Sequence, residues 1–314
     1  MRPDDPLAEM SDPFDFAYEP WQPPDREPNH RFFTTSDGVP LHYVDWPANE
    51  NAPVVVMVHG RRAHARWFDP VAMDLSPRYH CVSLDLRGHG DSQNHGPVDL
   101  DRYGADLAEF FELFRGRPRI LLAHSMSGRV AILAHQNHGV RPELLVMADT
   151  PLTRRPHHFI KEPPFVNKPY PTREFAMRRF RLMPPGTSAN PELLLYVGGH
   201  SIKQNEDGTW SWKFSDVSTT RPEGIKIPDF TELGMESIDC PTLVIYGEHS
   251  ILVDAEDAQS IANRFPKGKA VGIPEAFHHL MLDRPKAFNA ALLDFFRAHG
   301  LESSATVAAE NYFK

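Results

Sequence analysis

The sequence predicts an α/β protein in which a mostly parallel central sheet is flanked by helices and interrupted late in the chain by a helical insertion. Three observations carry that expectation. Short, nearly continuous apolar runs recur along the chain, helical periodicity fills the gaps between them, and residues with reactive side chains stand just after the runs. A parallel strand has helices over both faces, so it reads as an unbroken apolar run rather than an alternating one. In such folds ligands bind beyond the carboxyl ends of the strands.

In chain order, residues 1 to 30 are rich in proline and acid, with Phe14 and Trp21 as bulky anchors, and read as an arm on the surface. His30 to Thr35 and Leu41 to Trp46 flank Ser36-Asp37-Gly38, which reads as a β-hairpin. The apolar runs are Val54 to Val58, Cys81 to Leu84, Ile120 to Leu122, Leu144 to Met147, Thr242 to Tyr246 and Ala270 to Ile273. Helical periodicity occupies Tyr103 to Phe114, Gly128 to Gln136, Ala255 to Arg264 and Arg284 to Ala298. The core is therefore placed at residues 31–149 and 239–302.

From 150 to 238 the alternation lapses into prolines, scattered aromatics and short amphipathic pieces such as Arg173 to Leu182 and Pro191 to Val197. This reads as a cap inserted after the strand that ends near Asp149, with Phe159, Phe165, Trp210, Trp212 and Phe214 as candidates for lining a pocket or packing the cap itself. The run Arg173, Arg178, Arg179 and Arg181 reads as a solvated face. Residues 303–314 are set apart as a tail.

A length of 314 residues, 41% hydrophobic and 24% charged, suits a soluble globular domain and excludes a disordered chain. A net charge of −9 leaves no electrostatic footprint for nucleic acid or an anionic membrane, so neither is an expected partner. Cys81 and Cys240 lie in or beside apolar segments, without disulfide or metal spacing. No apolar run approaches the roughly 18 residues of a membrane span, and the start lacks a signal-peptide layout, so a cytoplasmic location is expected. His89 and His95 have no further partners at ligand spacing, so zinc, or any other metal or cofactor, is not expected. Oligomeric state is open.

The sharpest motif is Ala123-His124-Ser125-Met126-Ser127-Gly128, an apolar run passing through small residues into a helix with Ser125 at the apex. A strand-to-helix turn of this kind lifts a serine Oγ from the backbone and sets the next N–H beside a forming oxyanion. The pattern departs from G-x-S-x-G, with Ala123 and Ser127 in place of glycines, and a serine in such a place is also an ordinary helix N-cap.

With Val58-His59-Gly60, the loop Asp85-Leu86-Arg87-Gly88-His89-Gly90-Asp91-Ser92, the turn at Ser125 and Phe277-His278-His279-Leu280-Met281-Leu282-Asp283-Arg284-Pro285, the chain resembles the α/β-hydrolase superfamily over about residues 30 to 300. The resemblance implies the α/β-hydrolase fold, with Ser125 as nucleophile and His278 as general base. Serine rather than aspartate at the elbow argues for acyl transfer over alkyl-enzyme chemistry. The resemblance also implies an oxyanion hole from the backbone N–H groups of Met126 and Arg61. Where relatives usually carry the triad acid, three positions beyond Gly247, this chain has Ser250. Asp149, after the preceding core strand, is assigned as the acid, with Asp254 and Glu248 as alternatives. His59 and the 85–92 loop read as structural braces. Arg61 and Arg62 either bind a substrate carboxylate, or point to solvent or pair with acids such as Asp69.

The expected activity is that of a cofactor-free serine hydrolase acting on a small acyl substrate, a carboxylic ester or lactone. Carbon–carbon bond hydrolysis and perhydrolase chemistry use the same triad. A ligand-binding relative with weak turnover is the reading from another class, suggested by the irregular elbow, Arg61-Arg62 and Ser250.

Overall fold

The computed structural model describes residues 16–96, 98–152, 167–214 and 234–302. Phe14, Phe159, Phe165 and the 303–314 tail lie outside them. Strands β1 (Asn29–Thr34) and β2 (Pro40–Trp46) form the antiparallel hairpin expected around Gly38, whose φ of +83° suits a residue without a Cβ. Then follow β3 (Val54–Val58), α1 (Asp69–Leu75), β4 (His80–Leu84), α2 (Leu100–Glu112), β5 (Arg119–His124), α3 (Met126–His138) and β6 (Leu144–Ala148). After the insertion come β9 (Thr242–Gly247), α6 (Ala255–Ala262), β10 (Gly268–Ile273), α7 (Leu280–Asp283) and α8 (Pro285–Ala298).

These strands make one eight-stranded sheet in the order β1-β2-β4-β3-β5-β6-β9-β10. Every pairing from β4 to β10 is parallel. Every residue of β3 is buried, and its side chains alternate between two cores: Val55 and Met57 on one face, Val54, Val56 and Val58 on the other. That is why the run carries no polar alternation. The first core adds α1 and α8, the second α2, α3 and α6.

Helix ends follow local chemistry. Asp99 accepts the Arg102 N–H at the start of α2, and Asp254 accepts the Asp257 N–H at the start of α6. Gly139, at φ +73°, ends α3 in the left-handed conformation.

The described part of the insertion, residues 167–214, holds strands as well as the expected helices. Arg173 begins a helix, α4 (Arg173–Met177), that stops five positions short of Leu182, and α5 (Pro191–His200) is capped by Asn190. Beyond it, β7 (Ile202–Gln204) and β8 (Trp210–Trp212) form a small antiparallel sheet. Its turn holds Asp207-Gly208, a hairpin signal embedded in a polar stretch, with Gly208 at φ +83°. Leu193, Leu194, Val197, Phe180 and Trp212 bury into the same core as Trp67 and Phe68. At about 1.5 to 3 kcal/mol per fully buried large apolar side chain, that contact holds the described insertion firmly against the sheet.

β4 and β5 lie on opposite sides of β3, so the chain changes direction across the sheet there. The loops after β3 and β5 meet at that point, which is where parallel folds place their sites. Among the described residues no helix is long and apolar enough to cross a membrane.

Candidate active site

Ser125 sits between β5 and α3 at φ 54° and ψ −118°. A non-glycine residue held there is strained, and the strain is maintained because Ser125 N–H donates to Ala148 O of the neighbouring strand at 2.8 Å. As the first residue of α3, Met126 has an N–H outside the helix's own hydrogen-bond ladder. Gly60 closes the loop after β3 onto this turn: a Cβ there would stand 3.0 Å from Ser125 Cβ and 3.0 Å from His124 Nδ1. The backbone of Arg61 therefore follows directly from the closest approach. Small residues are needed for the same reason on α3, where a Cβ on Gly128 would meet Thr150 Oγ1 at 2.2 Å.

His278 arrives from the loop between β10 and α7. Its Nε2 lies 3.1 Å from Ser125 Oγ, and its Nδ1 lies 2.7 Å from Asp149 Oδ1. A carboxylate can only accept, so Nδ1 carries the proton and Nε2 is left to accept from the serine hydroxyl. The ring is 4% exposed and Asp149 is fully buried, which keeps water from competing for either bond. Asp149 has φ 44°, a conformation that aspartate tolerates better than most residues.

Asp149, after β6, is thus the carboxylate that the structure brings to His278. Asp254 caps α6 instead. The departure at Ser250 has a physical explanation: Ser250 Oγ donates to Asp149 Oδ1 at 2.8 Å, and Gly247 N–H donates to Oδ2 at 3.1 Å. Serine at this position supports the carboxylate on the neighbouring strand rather than replacing it.

The loop that carries His278 is clamped from several sides. A Cβ on Gly247 would fall 2.1 Å from Phe277 O, so β9 packs backbone to backbone against it, and His249 N–H donates to Ala276 O at 2.8 Å. Asp283 accepts from Phe277 N–H at 2.9 Å while also accepting from Thr187 Oγ1 and Ser188 N–H of the insertion.

His124 was given no role in the sequence reading, yet its Nε2–H donates to His278 O at 3.0 Å. Its adjacency to Ser125 was the signal. Burial, with His278 adding to it, drives the His124 imidazole well below its usual range, so it serves as a neutral brace. The same holds for His279, which occupies the N-cap position of α7 without a side-chain cap and packs against Trp67.

His59 is a brace as read. Its Nε2 accepts from Leu86 N–H at 3.0 Å, its Nδ1–H donates to Gly60 O at 2.7 Å, and burial lowers its pKa. Ser127 Oγ donates to His59 O. Asp69 is bound by Arg66 rather than by Arg61 or Arg62, and the Arg62 guanidinium lies 5.9 Å over the Phe214 ring. Trp212 is packed among Tyr170, Phe180 and Phe214, a core position in the insertion.

A hydroxyl bound to an imidazole whose far nitrogen donates to a buried carboxylate can surrender and recover a proton without charging the solvent. The profile of the Alpha/beta hydrolase family matches residues 55–291, and the chain belongs to that family. Its relatives are distant hydrolases. An sn-1-specific diacylglycerol lipase of Danio rerio is 23% identical over 279 residues, covering 84% of this chain and 84% of its own. A bifunctional esterase/perhydrolase of Acinetobacter calcoaceticus is 26% identical over 291 residues, covering 85% of this chain and 99% of its own. The thioesterase domain from the curacin biosynthetic pathway shares the fold with a TM-score of 0.72 and 22% identity, covering 86% of this chain and 100% of that one.

Proposed function

We propose that the chain is a serine hydrolase that cleaves a carboxylic ester or lactone through an acyl-enzyme, with Ser125, His278 and Asp149 as its triad. Ser125 Oγ attacks the acyl carbonyl while His278 Nε2 takes the hydroxyl proton. The bond to the alcohol oxygen then breaks, His278 returns the proton to that oxygen, and the alcohol leaves. Water repeats the sequence on the acyl-serine and releases the acid. Asp149 holds the Nδ1–H tautomer and stabilises the imidazolium. Met126 and Arg61 supply backbone N–H groups to the oxyanion; losing one such donor typically costs about 10² to 10³ in rate.

The observation that carries this reading is the unbroken hydrogen-bond chain from Ser125 Oγ to Asp149 Oδ1 through one imidazole. The described part of the insertion, residues 167–214, acts as a cap over the acyl group. Hydrolysis of p-nitrophenyl acetate and covalent labelling by a fluorophosphonate test the reading. Both are expected in the parent and absent in Ser125→Ala, and labelling that survives that substitution overturns the assignment. Arg61→Ala and Arg62→Ala, compared on anionic and neutral esters, test a carboxylate-binding role for the two side chains; equal losses remove it.

A second reading, perhydrolysis, is favoured by the Acinetobacter relative's name. Hydrogen peroxide replaces water in the second half: its oxygen attacks the acyl-serine carbonyl as His278 takes its proton, the bond to Ser125 Oγ breaks, His278 returns the proton to that oxygen, and the acyl group leaves as a peracid. Peracid formation from an ester and peroxide, lost with Ser125→Ala, is its signature.

A further inference from the structure

A second cluster of reactive side chains lies away from Ser125, where β1, β2 and the loop after β4 meet the insertion. Glu27, His30, His42, His64, Arg66, Asp85, Asp91, His200 and Lys213 line a cavity of about 200 Å³ there. Four imidazoles and three carboxylates around so small a space is a composition suited to a cation.

His42, Asp85 and Asp91 each offer one donor atom, and these atoms lie within 4.8 Å of one another. Asp85 is buried; its Oδ1 accepts from Ala65 N–H at 2.6 Å and its Oδ2 from Asp91 N–H at 2.9 Å, and among the described residues its only ion-pair partner is the His42 imidazole, whose Nδ1 lies 2.7 Å from Oδ2. Buried carboxylates are paired with cations or coordinate metals. The lysine and arginine of the lining are already matched elsewhere: Lys213 to Asp91, and Arg66 to Asp69 and Glu27. Carboxylates therefore outnumber fixed cations around the cavity, and the imbalance sits at Asp85.

We propose that His42, Asp85 and Asp91 bind one divalent transition-metal ion, zinc being the best match to one imidazole nitrogen and carboxylate oxygens. Calcium takes oxygen donors, whereas an imidazole nitrogen beside carboxylate oxygens is a set zinc takes at about 2.0 to 2.2 Å. With Nδ1 on the metal, the Nε2–H of His42 points at His30 Nδ1, 2.9 Å away. That is the outer hydrogen bond that orients metal-ligating histidines. The ion replaces the proton now shared between His42 and Asp85 and draws Asp91 away from Lys213 at the end of β8. His42, on β2, and Asp85, just after β4, are 43 positions apart, so no spacing motif announced them.

The test is zinc chloride titrated into chelator-treated protein by calorimetry, with thermal melting in parallel. One ion per chain and a raised melting temperature are expected. Asp91→Asn changes a surface side chain, so it is expected to fold, and it should weaken binding by about tenfold or more. Lys213→Met removes the competing cation and should tighten binding. Absence of one-to-one binding below millimolar zinc, or affinity unchanged in Asp91→Asn, overturns the proposal.

Discussion

Replacing Asp149 by asparagine tests the reasoning about this site most directly. Asparagine keeps the volume of a fully buried side chain and tolerates the φ of 44°, so the backbone at the end of β6 has no cause to move. The carboxylate now accepts from three donors: His278 Nδ1–H at 2.7 Å, Ser250 Oγ–H at 2.8 Å and Gly247 N–H at 3.1 Å. A carboxamide has one accepting atom and one donating group in their place. If its NH₂ faces Gly247, two donors oppose across a buried contact. If it faces His278, the imidazole must present a bare Nδ1, which moves the proton to Nε2. That nitrogen can then no longer accept from Ser125. Where this tautomer exchange has been forced in another serine hydrolase of the same logic, the loss is about 10⁴ in kcat, or about 5.4 kcal/mol of barrier at 1.36 kcal/mol per tenfold. The assay is kcat/KM on p-nitrophenyl acetate together with the fluorophosphonate labelling rate, at a temperature where circular dichroism shows the variant folded. A folded variant that loses less than about tenfold would refute the role given to Asp149.

Three further outcomes are expected. In Asp149→Asn/Ser250→Asp the carboxylate is moved to a neighbour that already lies within hydrogen-bond distance, so about 1 to 3 kcal/mol of coupling should return as roughly tenfold to hundredfold recovery of kcat/KM over Asp149→Asn alone. Gly247→Ala forces a Cβ to within 2.1 Å of Phe277 O; about 3 kcal/mol of stability should be lost in urea unfolding, with His278 displaced, and an unchanged midpoint would contradict the close packing. Burial pushes the Asp283 carboxyl up to about 7, against donors from Thr187, Phe277 and Ser188 that favour the ionised form. A folded pKa above the unfolded 3.8 makes that contribution to stability full below the unfolded value and lost as pH rises through about 7. The parent should therefore lose stability relative to Asp283→Asn between about pH 4 and pH 7, and melting temperatures that run parallel over that range would remove the argument.

Much of the fold was legible because the physics behind it is local. Val54 to Val58 is buried on both faces and so is apolar throughout, and Asp37-Gly38 turns a hairpin because glycine accepts a positive φ. Element ends were less legible. Leu100 begins α2 three positions before the apolar stripe starts, because the Asp99 cap rather than the stripe sets the boundary. The β7–β8 hairpin was missed because three-residue strands carry too few side chains to show a period of two.

By itself the sequence determined the alternation of strands and helices, the serine at a strand-to-helix turn and the histidine after the last strand, since each depends on side chains close together in the chain. Only the tertiary structure decided which carboxylate meets His278, that Ser250 supports it, that His124 braces the His278 loop, and that His42, Asp85 and Asp91 converge. Those are contacts between strands ordered by the sheet, and the lateral order of strands leaves no periodic trace along the chain.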